Sequence, residues 1–543
     1  MKNNKKIRAF FSHVREILLG NETLRGNEGV PESMGIISAS SYDVIEVDGL
    51  LDVVDHSKTL VGKETIHKSF TQTNPTVDEI KSKQQALREL DEDQVLRNSI
   101  DSMLDTAIEY EDSFYRLLFA EFTGFIFSPD PARLEEAGYG YRLYEKGSQF
   151  LPQVLEQIKQ IKEPKSQYLK GLLAELLEFS ESREFKLMRG PVHMLMGKFL
   201  LQDEMSWYTP AIKLRLNLFK PMLIPILFLI TIAMPYILNI SMAQFTVFAL
   251  VPFILLVFYV PMVGDFDKDA FIIPLRRLFS RSEKVERAVR IIGLLDELLS
   301  YHKYSKNCVH PTVLPNINVH EQHVISLKEA VNPVLGFNDK NYVPNDFDAS
   351  KHNLAFFTGP NSGGKTAFCK TIAQIQLMAQ VGCYVPAEHA ELSVADRVFY
   401  QTPEINSLDE DVGRFGTELK HTRDIFLEAT PNSLVILDEL AEGTTHKEKI
   451  ETSLMILGAF KKLGSLTLLV THNHELAESF KDGGQAVFLQ VEFNGEKPTH
   501  RFVEGVSVIS HADLVARSVG FSKDDIERIL QEKLRAKSTS ADA

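Results

Sequence analysis

The chain has very little cysteine. Only Cys308, Cys369 and Cys383 occur among its 543 residues, and none belongs to a Cys-X-X-Cys pair or lies near a run of histidines. This usage is typical of a protein that faces a reducing compartment. Cys369 and Cys383 fall in or just after a helical stretch, so we expect them to serve in packing.

The chain also lacks an excess of positive charge. Its 73 acidic and 59 basic residues give a net charge of −14, which argues against a large nucleic-acid-coating surface but leaves room for a local basic site. The apolar and charged fractions, 44% and 24%, are those of an ordinary globular protein. The length predicts about three domains.

One region, residues 221–263, contains no Asp, Glu, Lys, Arg or His. It divides into residues 221–238 and 245–263, each about long enough to span a bilayer, with the polar residues 239–244 between them. The pattern predicts a hairpin of two transmembrane helices, and a buried pair of soluble helices is the alternative. The flanking basic residues place both soluble ends in the cytoplasm, as in a two-pass protein of the inner, cytoplasmic membrane. These residues are Lys213, Arg215, Lys220, Lys268, Arg276, Arg277 and Arg281.

Residues 359–366 match the complete phosphate-loop pattern GxxxxGK[ST]. An apolar stretch precedes them, and apolar residues at helical spacing follow, as a strand, loop and helix require. Glycines let backbone N–H groups converge on phosphates, Lys365 can reach the outer phosphates, and Thr366 can ligate Mg²⁺. The pattern predicts an ATP site formed by Gly359, Pro360, Asn361, Ser362, Gly363, Gly364, Lys365 and Thr366.

Two later apolar stretches end in residues suited to the same site. The first, residues 433–437, is followed by Asp438 and Glu439, and the second ends in Thr471 and His472. Asp438 is placed to hold Mg²⁺, and Glu439 to orient or deprotonate the attacking water. His472 can contact the γ-phosphate. We therefore predict Lys365, Glu439 and His472 as catalytic residues, with Thr366 and Asp438 as the metal ligands.

In their order and spacing these motifs resemble the ATPase domain of the MutS family of DNA mismatch-repair proteins. Further matching stretches are residues 328–335, 342–346, 381–387, 396–399, 443–445, 471–476 and 505–520. The resemblance implies ATP with Mg²⁺ as cofactors, stacking of Tyr342 on adenine, a homodimer formed through the ATPase domains, and DNA as a partner.

Some positions depart from the family pattern. Ala441 and Glu442 replace the glycine and arginine that usually follow the Asp-Glu pair, and Asn332 replaces a histidine. Gly413 replaces a serine of the loop that completes the partner's ATP site, which leaves open whether both sites of a dimer are active.

Upstream, residues 51–96 resemble the first helices of the family's core or lever domain. Only about 40 residues precede that domain, so the mismatch-recognition and connector domains are expected to be absent. The uncharged hairpin takes the place of the family's DNA-clamping domain.

We therefore predict an α/β P-loop NTPase domain of the ABC/MutS type, preceded by an all-α lever domain that a transmembrane hairpin interrupts. The predicted segments are an N-terminal amphipathic helix and linker (1–40), a helical lever-like region (41–213), the hairpin (214–264), a helical return (265–316), the ATPase domain (317–521) and a C-terminal helix with a disordered tail (522–543).

The predicted function is that of a membrane-anchored ATPase that hydrolyses Mg-ATP to drive lever movements. A role in binding or repairing mismatched or branched DNA is implied by the resemblance alone. The alternative is an ATP-switched membrane scaffold or transport-associated module, with a protein client and no DNA binding. The client, whether a membrane protein or a repair protein, stays unknown from the sequence.

Overall fold

A computed structural model describes most of the chain. The described residues are 35–72, 75–124, 130, 133–216, 226, 229, 233, 237, 259–320, 322–360, 363–403, 413–441, 444–481, 486–495, 497–507 and 519–539. The chain divides into two units. The described part of the first lies within Asp55–His67 and Gln85–His302, and that of the second within Glu28–Val54, Lys68–Gln84 and Lys303–Ala543.

Helices make up most of the regular structure. In chain order they are α1 (Ala39–Ile45), α2 (Val47–Val54), α3 (Leu60–Gln72), α4 (Val77–Glu92), α5 (Gln94–Phe119), α6 (Tyr141–Gly147), α7 (Phe150–Ile158), α8 (Gln167–Phe179), α9 (Arg183–Arg189), α10 (Ile273–Phe279), α11 (Glu283–Asn307), α12 (Lys365–Gln380), α13 (Gly413–Glu428), α14 (His446–Leu463), α15 (His474–Lys481) and α16 (Lys523–Thr539).

The strands are mostly short in the first half and longer in the second. They are β1 (Glu121–Phe122), β2 (Glu135–Glu136), β3 (His193–Leu195), β4 (Lys198–Leu200), β5 (Ile212–Lys213), β6 (Thr312–Val313), β7 (Asn316–Ile317), β8 (Ile325–Ala330), β9 (Asn345–Asp348), β10 (Leu354–Thr358), β11 (Val385–Pro386), β12 (His389–Leu392), β13 (Val398–Gln401), β14 (Leu434–Asp438), β15 (Leu466–Thr471), β16 (Val487–Asn494) and β17 (Lys497–Glu504).

The described part of the first unit is built mainly from helices, and α5 is the longest of them. Asp93 caps its N-terminus, because the carboxylate accepts a hydrogen bond from the Leu96 N–H at 2.9 Å. Apolar residues at helical spacing, among them Ile100, Met103 and Ala107, are fully buried. This apolar face is therefore the face that packs into the unit.

Two buried carboxylates hold the N-terminus of α3. Asp296 accepts hydrogen bonds from the N–H and the hydroxyl of Thr59, at 2.7 Å and 2.6 Å. Glu111 accepts from the N–H groups of Leu60 and Val61, at 2.9 Å and 3.0 Å. These contacts satisfy donors that have no partner within the helix, and the negative charges complement its dipole.

Glu111 should make the stability of the first unit depend on pH. Burial is the main cause that raises the pKa of Glu111 from 4.5 to about 7. The folded state therefore binds the Glu111 proton more tightly than the unfolded state, so protonation of Glu111 stabilises the fold. This stabilisation is present below pH 4.5 and is lost as the pH rises through 7. The loss amounts to about 3 kcal/mol.

The variant Glu111→Gln stays neutral and should remove this pH dependence. The free energy of unfolding of Glu111→Gln minus that of the unmodified protein should increase by about 3 kcal/mol from acidic to mildly alkaline pH. Urea unfolding over a series of pH values measures this, and Glu109→Gln, an exposed change on the same helix, is the control. A difference that does not vary with pH would contradict the prediction.

The second unit contains a six-stranded sheet in the order β13-β14-β15-β10-β16-β17. All neighbouring strands are parallel except β16 and β17. Buried apolar residues cover both faces of the central strands, as a parallel sheet between helices requires. Because parallel strands all end at one edge, the residues that follow β10, β14 and β15 lie together there. A separate four-stranded sheet has the order β7-β12-β8-β9.

Residues 35–46 also belong to the second unit. Ile37 forms a parallel bridge with Val398 on edge strand β13. The N–H of Tyr400 donates to the Ser41 hydroxyl at 2.8 Å, and Lys370 on α12 forms an ion pair with Glu46 at 2.6 Å. These residues thus contact both the sheet and the helix that follows the phosphate loop.

The predicted transmembrane hairpin is contradicted. Within the described part of the chain, no helix is long and apolar enough to cross a membrane. Most of residues 221–263 lie outside the described residues. This finding overturns three predictions: a fold class with a transmembrane hairpin, a two-pass membrane localisation and the lipid bilayer as a partner. The prediction rested on lack of charge, on segment length and on the flanking basic residues, and these do not establish one continuous spanning helix. The region predicted as all-α also contains short strands, among them β1 to β6.

Candidate functional site

The phosphate loop connects β10 to α12 at the carboxyl edge of the six-stranded sheet. Gly359 and Gly364 have positive φ angles of 128° and 88°, which favour glycine. A side chain at Gly359 or Gly363 would also press against Val491 on β16. Glycine is therefore required here for backbone conformation and for space. The predicted site residues Asn361 and Ser362 lie outside the described residues.

The side chain of Lys365 lies inside the phosphate loop. Its ammonium group donates hydrogen bonds to the carbonyl oxygens of Gly359 and Pro360, at 2.7 Å and 2.8 Å. The side chain is 2% exposed, and burial lowers its pKa, whereas the nearby Asp438 and Glu439 carboxylates oppose this shift. The loop thus holds a desolvated cation where an anionic ligand would bind.

Thr366 and Asp438 meet although 72 residues separate them in the sequence. The Thr366 hydroxyl donates to Oδ2 of Asp438 at 2.7 Å, and the phenol of Tyr400 donates to the Thr366 carbonyl at 3.3 Å. Burial raises the pKa of the Asp438 carboxyl, and the bond from Thr366 lowers it. A hydroxyl and a buried carboxylate side by side form an oxygen donor set that fits Mg²⁺.

Glu439 and His472 follow adjacent strands, β14 and β15. Nδ1 of His472 lies 3.1 Å from Oε1 of Glu439. This hydrogen bond is the main cause that lowers the pKa of Glu439, and the buried Lys449 adds to the effect. Glu439 is therefore held as a carboxylate, the form that can accept a proton. Its side chain is 19% exposed and that of His472 is 51% exposed, so both can meet solvent or a ligand.

The turn after β14 is strained. Glu439 and Ala441 both adopt the left-handed backbone conformation, with φ angles of 57° and 61°. This conformation costs about 1–2 kcal/mol for each residue other than glycine. Ala441 stands where the resembling family has glycine, and this φ angle explains that preference. The Glu439 N–H donates to the Val470 carbonyl at 2.9 Å, and the Ala441 N–H donates to the Glu418 carboxylate. Hydrogen bonds to charged groups contribute about 1.5–3 kcal/mol and can offset the strain.

Tyr342 and His500 lie beside α12 and the loop. The Tyr342 ring contacts Gly336, its phenol bonds to Thr371 on α12, and burial raises its pKa. The imidazole of His500 lies against Gly364, 3.5 Å from where a Cβ would be.

His500 and Glu418 were not predicted from the sequence. A lone histidine on a strand and a glutamate on a helix carry no local signal, and only the folded chain brings them to the site.

The structure thus brings together the described phosphate-loop residues with Lys365, Thr366, Asp438, Glu439 and His472 at one edge of a parallel sheet. This arrangement defines a P-loop nucleotide-binding domain.

Comparison with known proteins shows which P-loop domains this one is similar to. Residues 355–529 match the family model of MutS domain V. The match covers residues 355–529 alone, and over these residues the chain is similar to the MutS family.

Similar proteins carry names from DNA mismatch repair. The chain is 30% identical over 265 residues to the DNA mismatch repair protein MutS of Prochlorococcus marinus, covering 47% of this chain and 29% of that protein. It is 31% identical over 228 residues to the DNA mismatch repair protein MSH3 of Kluyveromyces lactis, covering 41% and 22%. A MutS protein of Caldicellulosiruptor saccharolyticus is 27% identical over 270 residues, covering 47% and 30%. The matches therefore span less than a third of these relatives.

Proposed function

We propose that the chain binds Mg-ATP at the phosphate loop and hydrolyses it. The observation that carries this proposal is the pairing of Thr366 with Asp438 and of Glu439 with His472 at the ends of neighbouring strands. One pair has the chemistry of a metal site, and the other has the chemistry of a base with its orienting partner. A site that only bound nucleotide would not need the second pair.

Each residue has a separate role in this proposal. Lys365 neutralises the outer phosphates, and its two carbonyl partners fix the position of its charge. Thr366 and Asp438 would hold Mg²⁺, which when bound would offset charge on the phosphate oxygens. Glu439 orients the attacking water and accepts its proton. His472 holds the Glu439 carboxylate in place, and Tyr342 and His500 are proposed to contact the rest of the nucleotide.

The direct test is release of phosphate from ATP by the purified full-length chain. We expect Mg²⁺-dependent turnover, within the range of about 1–1000 s⁻¹ that is common for enzymes or somewhat below it. Chelation of Mg²⁺ should abolish it. Binding of ATP without any phosphate release, in the presence of Mg²⁺, would contradict hydrolysis and leave a nucleotide-binding role.

We also propose that the chain acts on DNA and assembles as a dimer through its ATPase domain. Support for DNA comes from the names of the relatives, which refer to mismatch repair. The net charge of −14 does not favour non-specific binding, so any DNA site must be local.

The test of the DNA role is electrophoretic retardation of homoduplex, mismatched and branched DNA over a salt series. We expect binding that weakens as salt rises, because phosphate contacts release counterions. Failure to retard any of these DNAs at low salt would remove DNA from the proposal, without bearing on ATP hydrolysis. Sedimentation with and without ATP tests the dimer separately.

A further inference from the structure

The turn from Glu439 to Ala441 is fixed at both ends by groups from other elements. At its start, the Glu439 N–H donates to the Val470 carbonyl on β15. At its end, the Ala441 N–H donates to the carboxylate of Glu418 on α13. Both end residues are left-handed, so the turn needs outside contacts to keep its conformation.

Glu418 is itself held firmly against the sheet. Its backbone carbonyl accepts hydrogen bonds from the side-chain amide of Gln401, at 3.3 Å, and from the Thr422 hydroxyl, at 2.9 Å. That hydroxyl also lies 3.1 Å from the amide oxygen of Gln401, the last residue of β13. The carboxylate of Glu418 is therefore carried by a helix turn that is tied to the sheet beside β14.

We propose that Glu418 is a positioning residue for ATP hydrolysis: by accepting a hydrogen bond from the Ala441 N–H, it keeps the Glu439 carboxylate where it can orient the attacking water and accept its proton. The inference rests on the proposed hydrolysis by Glu439. Without the Glu418 carboxylate, the turn can relax toward commoner backbone conformations and move Glu439, which lies two residues before Ala441. The phosphate-binding groups are on the loop between β10 and α12, so ATP affinity should change little.

The test compares Glu418→Ala with Glu418→Gln in the full-length chain. The amide oxygen of glutamine can still accept the Ala441 N–H, although more weakly than a carboxylate. We expect Glu418→Ala to lower kcat about 10- to 100-fold, the size expected of a misplaced catalytic group, with KM and ATP affinity nearly unchanged. Glu418→Gln should recover most of kcat. Glu428→Ala, an exposed change at the end of the same helix, should leave kcat unchanged.

The outcomes distinguish failure of this inference from failure of the proposed function. Phosphate release by the unmodified chain together with an unchanged kcat in Glu418→Ala would overturn the role of Glu418 alone. No phosphate release by the unmodified chain would overturn both. Parallel losses of kcat, ATP affinity and thermal stability in both Glu418 variants would show a structural role instead of positioning. Hydrogen exchange at Ala441, faster in the alanine variant only, reports the contact independently of turnover.

Discussion

Replacing Glu439 with alanine is expected to abolish turnover while ATP still binds. Glu439 has a lowered pKa and lies 3.1 Å from His472, so it is the ionised group best placed to accept a proton from water. Loss of a general base typically costs about 10²–10⁴-fold in rate. The groups proposed to bind phosphate and metal, Lys365, Thr366 and Asp438, stay in place. We therefore expect kcat to fall by about that factor and the dissociation constant for ATP to change less than about threefold.

A single-turnover measurement of phosphate release, beside a binding titration with ATP, checks this result. The Glu439→Gln variant keeps the shape of the side chain and removes only the basic oxygen, so it should lose turnover similarly. Glu475→Gln is a matched control, because Glu475 is a carboxylate that also pairs with a histidine, His446, but is exposed on α15. Undiminished phosphate release by Glu439→Ala would contradict its assignment as the base.

The sequence could predict most of this site because each functional group belongs to a short motif. The phosphate loop, the Asp438-Glu439 pair and His472 are recognisable at the end of an apolar stretch, and a parallel sheet necessarily brings such ends to one edge. The strand pairing agrees: β14 is next to β15, in a register that sets Asp438 opposite Val470. The positions of the site residues therefore follow from the topology, and their roles stay predictions.

What the sequence could not predict are contacts between distant residues without a local pattern. Glu418 reaches Ala441 across 23 positions, and its function depends on a left-handed turn that only the backbone reveals. The same holds for residues 35–46, whose composition is typical of a linker and the start of a helix. They join the second unit through a backbone bridge from Ile37 to the edge strand.

The membrane prediction failed for a different reason. It rested on lack of charge, segment length and flanking basic residues, whereas the motifs around ATP combined residue type, spacing and order. A run of uncharged residues shows that a segment avoids ionisable groups, but it does not determine the length or continuity of a helix. Patterns with several independent requirements are harder to match by chance, which is why the phosphate-loop prediction was the sounder of the two.

Replacing Lys365 with methionine should prevent ATP binding. Methionine keeps much of the apolar stem and removes the charge. Lys365 is 2% exposed, and its ammonium group is held by the Gly359 and Pro360 carbonyls. In such a desolvated place a charge-assisted bond to phosphate contributes about 1.5–3 kcal/mol, and more than one phosphate oxygen can be reached. We expect ATP affinity to fall about 100-fold or more.

Lys370→Met is the matched control for this change. Lys370 lies on the same helix, five residues further on, and its ammonium group pairs with Glu46 at 2.6 Å. It removes the same charge from α12, so a general loss of positive potential would weaken ATP binding equally in both variants. We expect calorimetric titration to show near-normal affinity for Lys370→Met and none measurable for Lys365→Met. Similar affinities in the two would mean that the loop binds phosphate through its backbone alone, and that the charge held at Gly359 and Pro360 acts only in the chemical step.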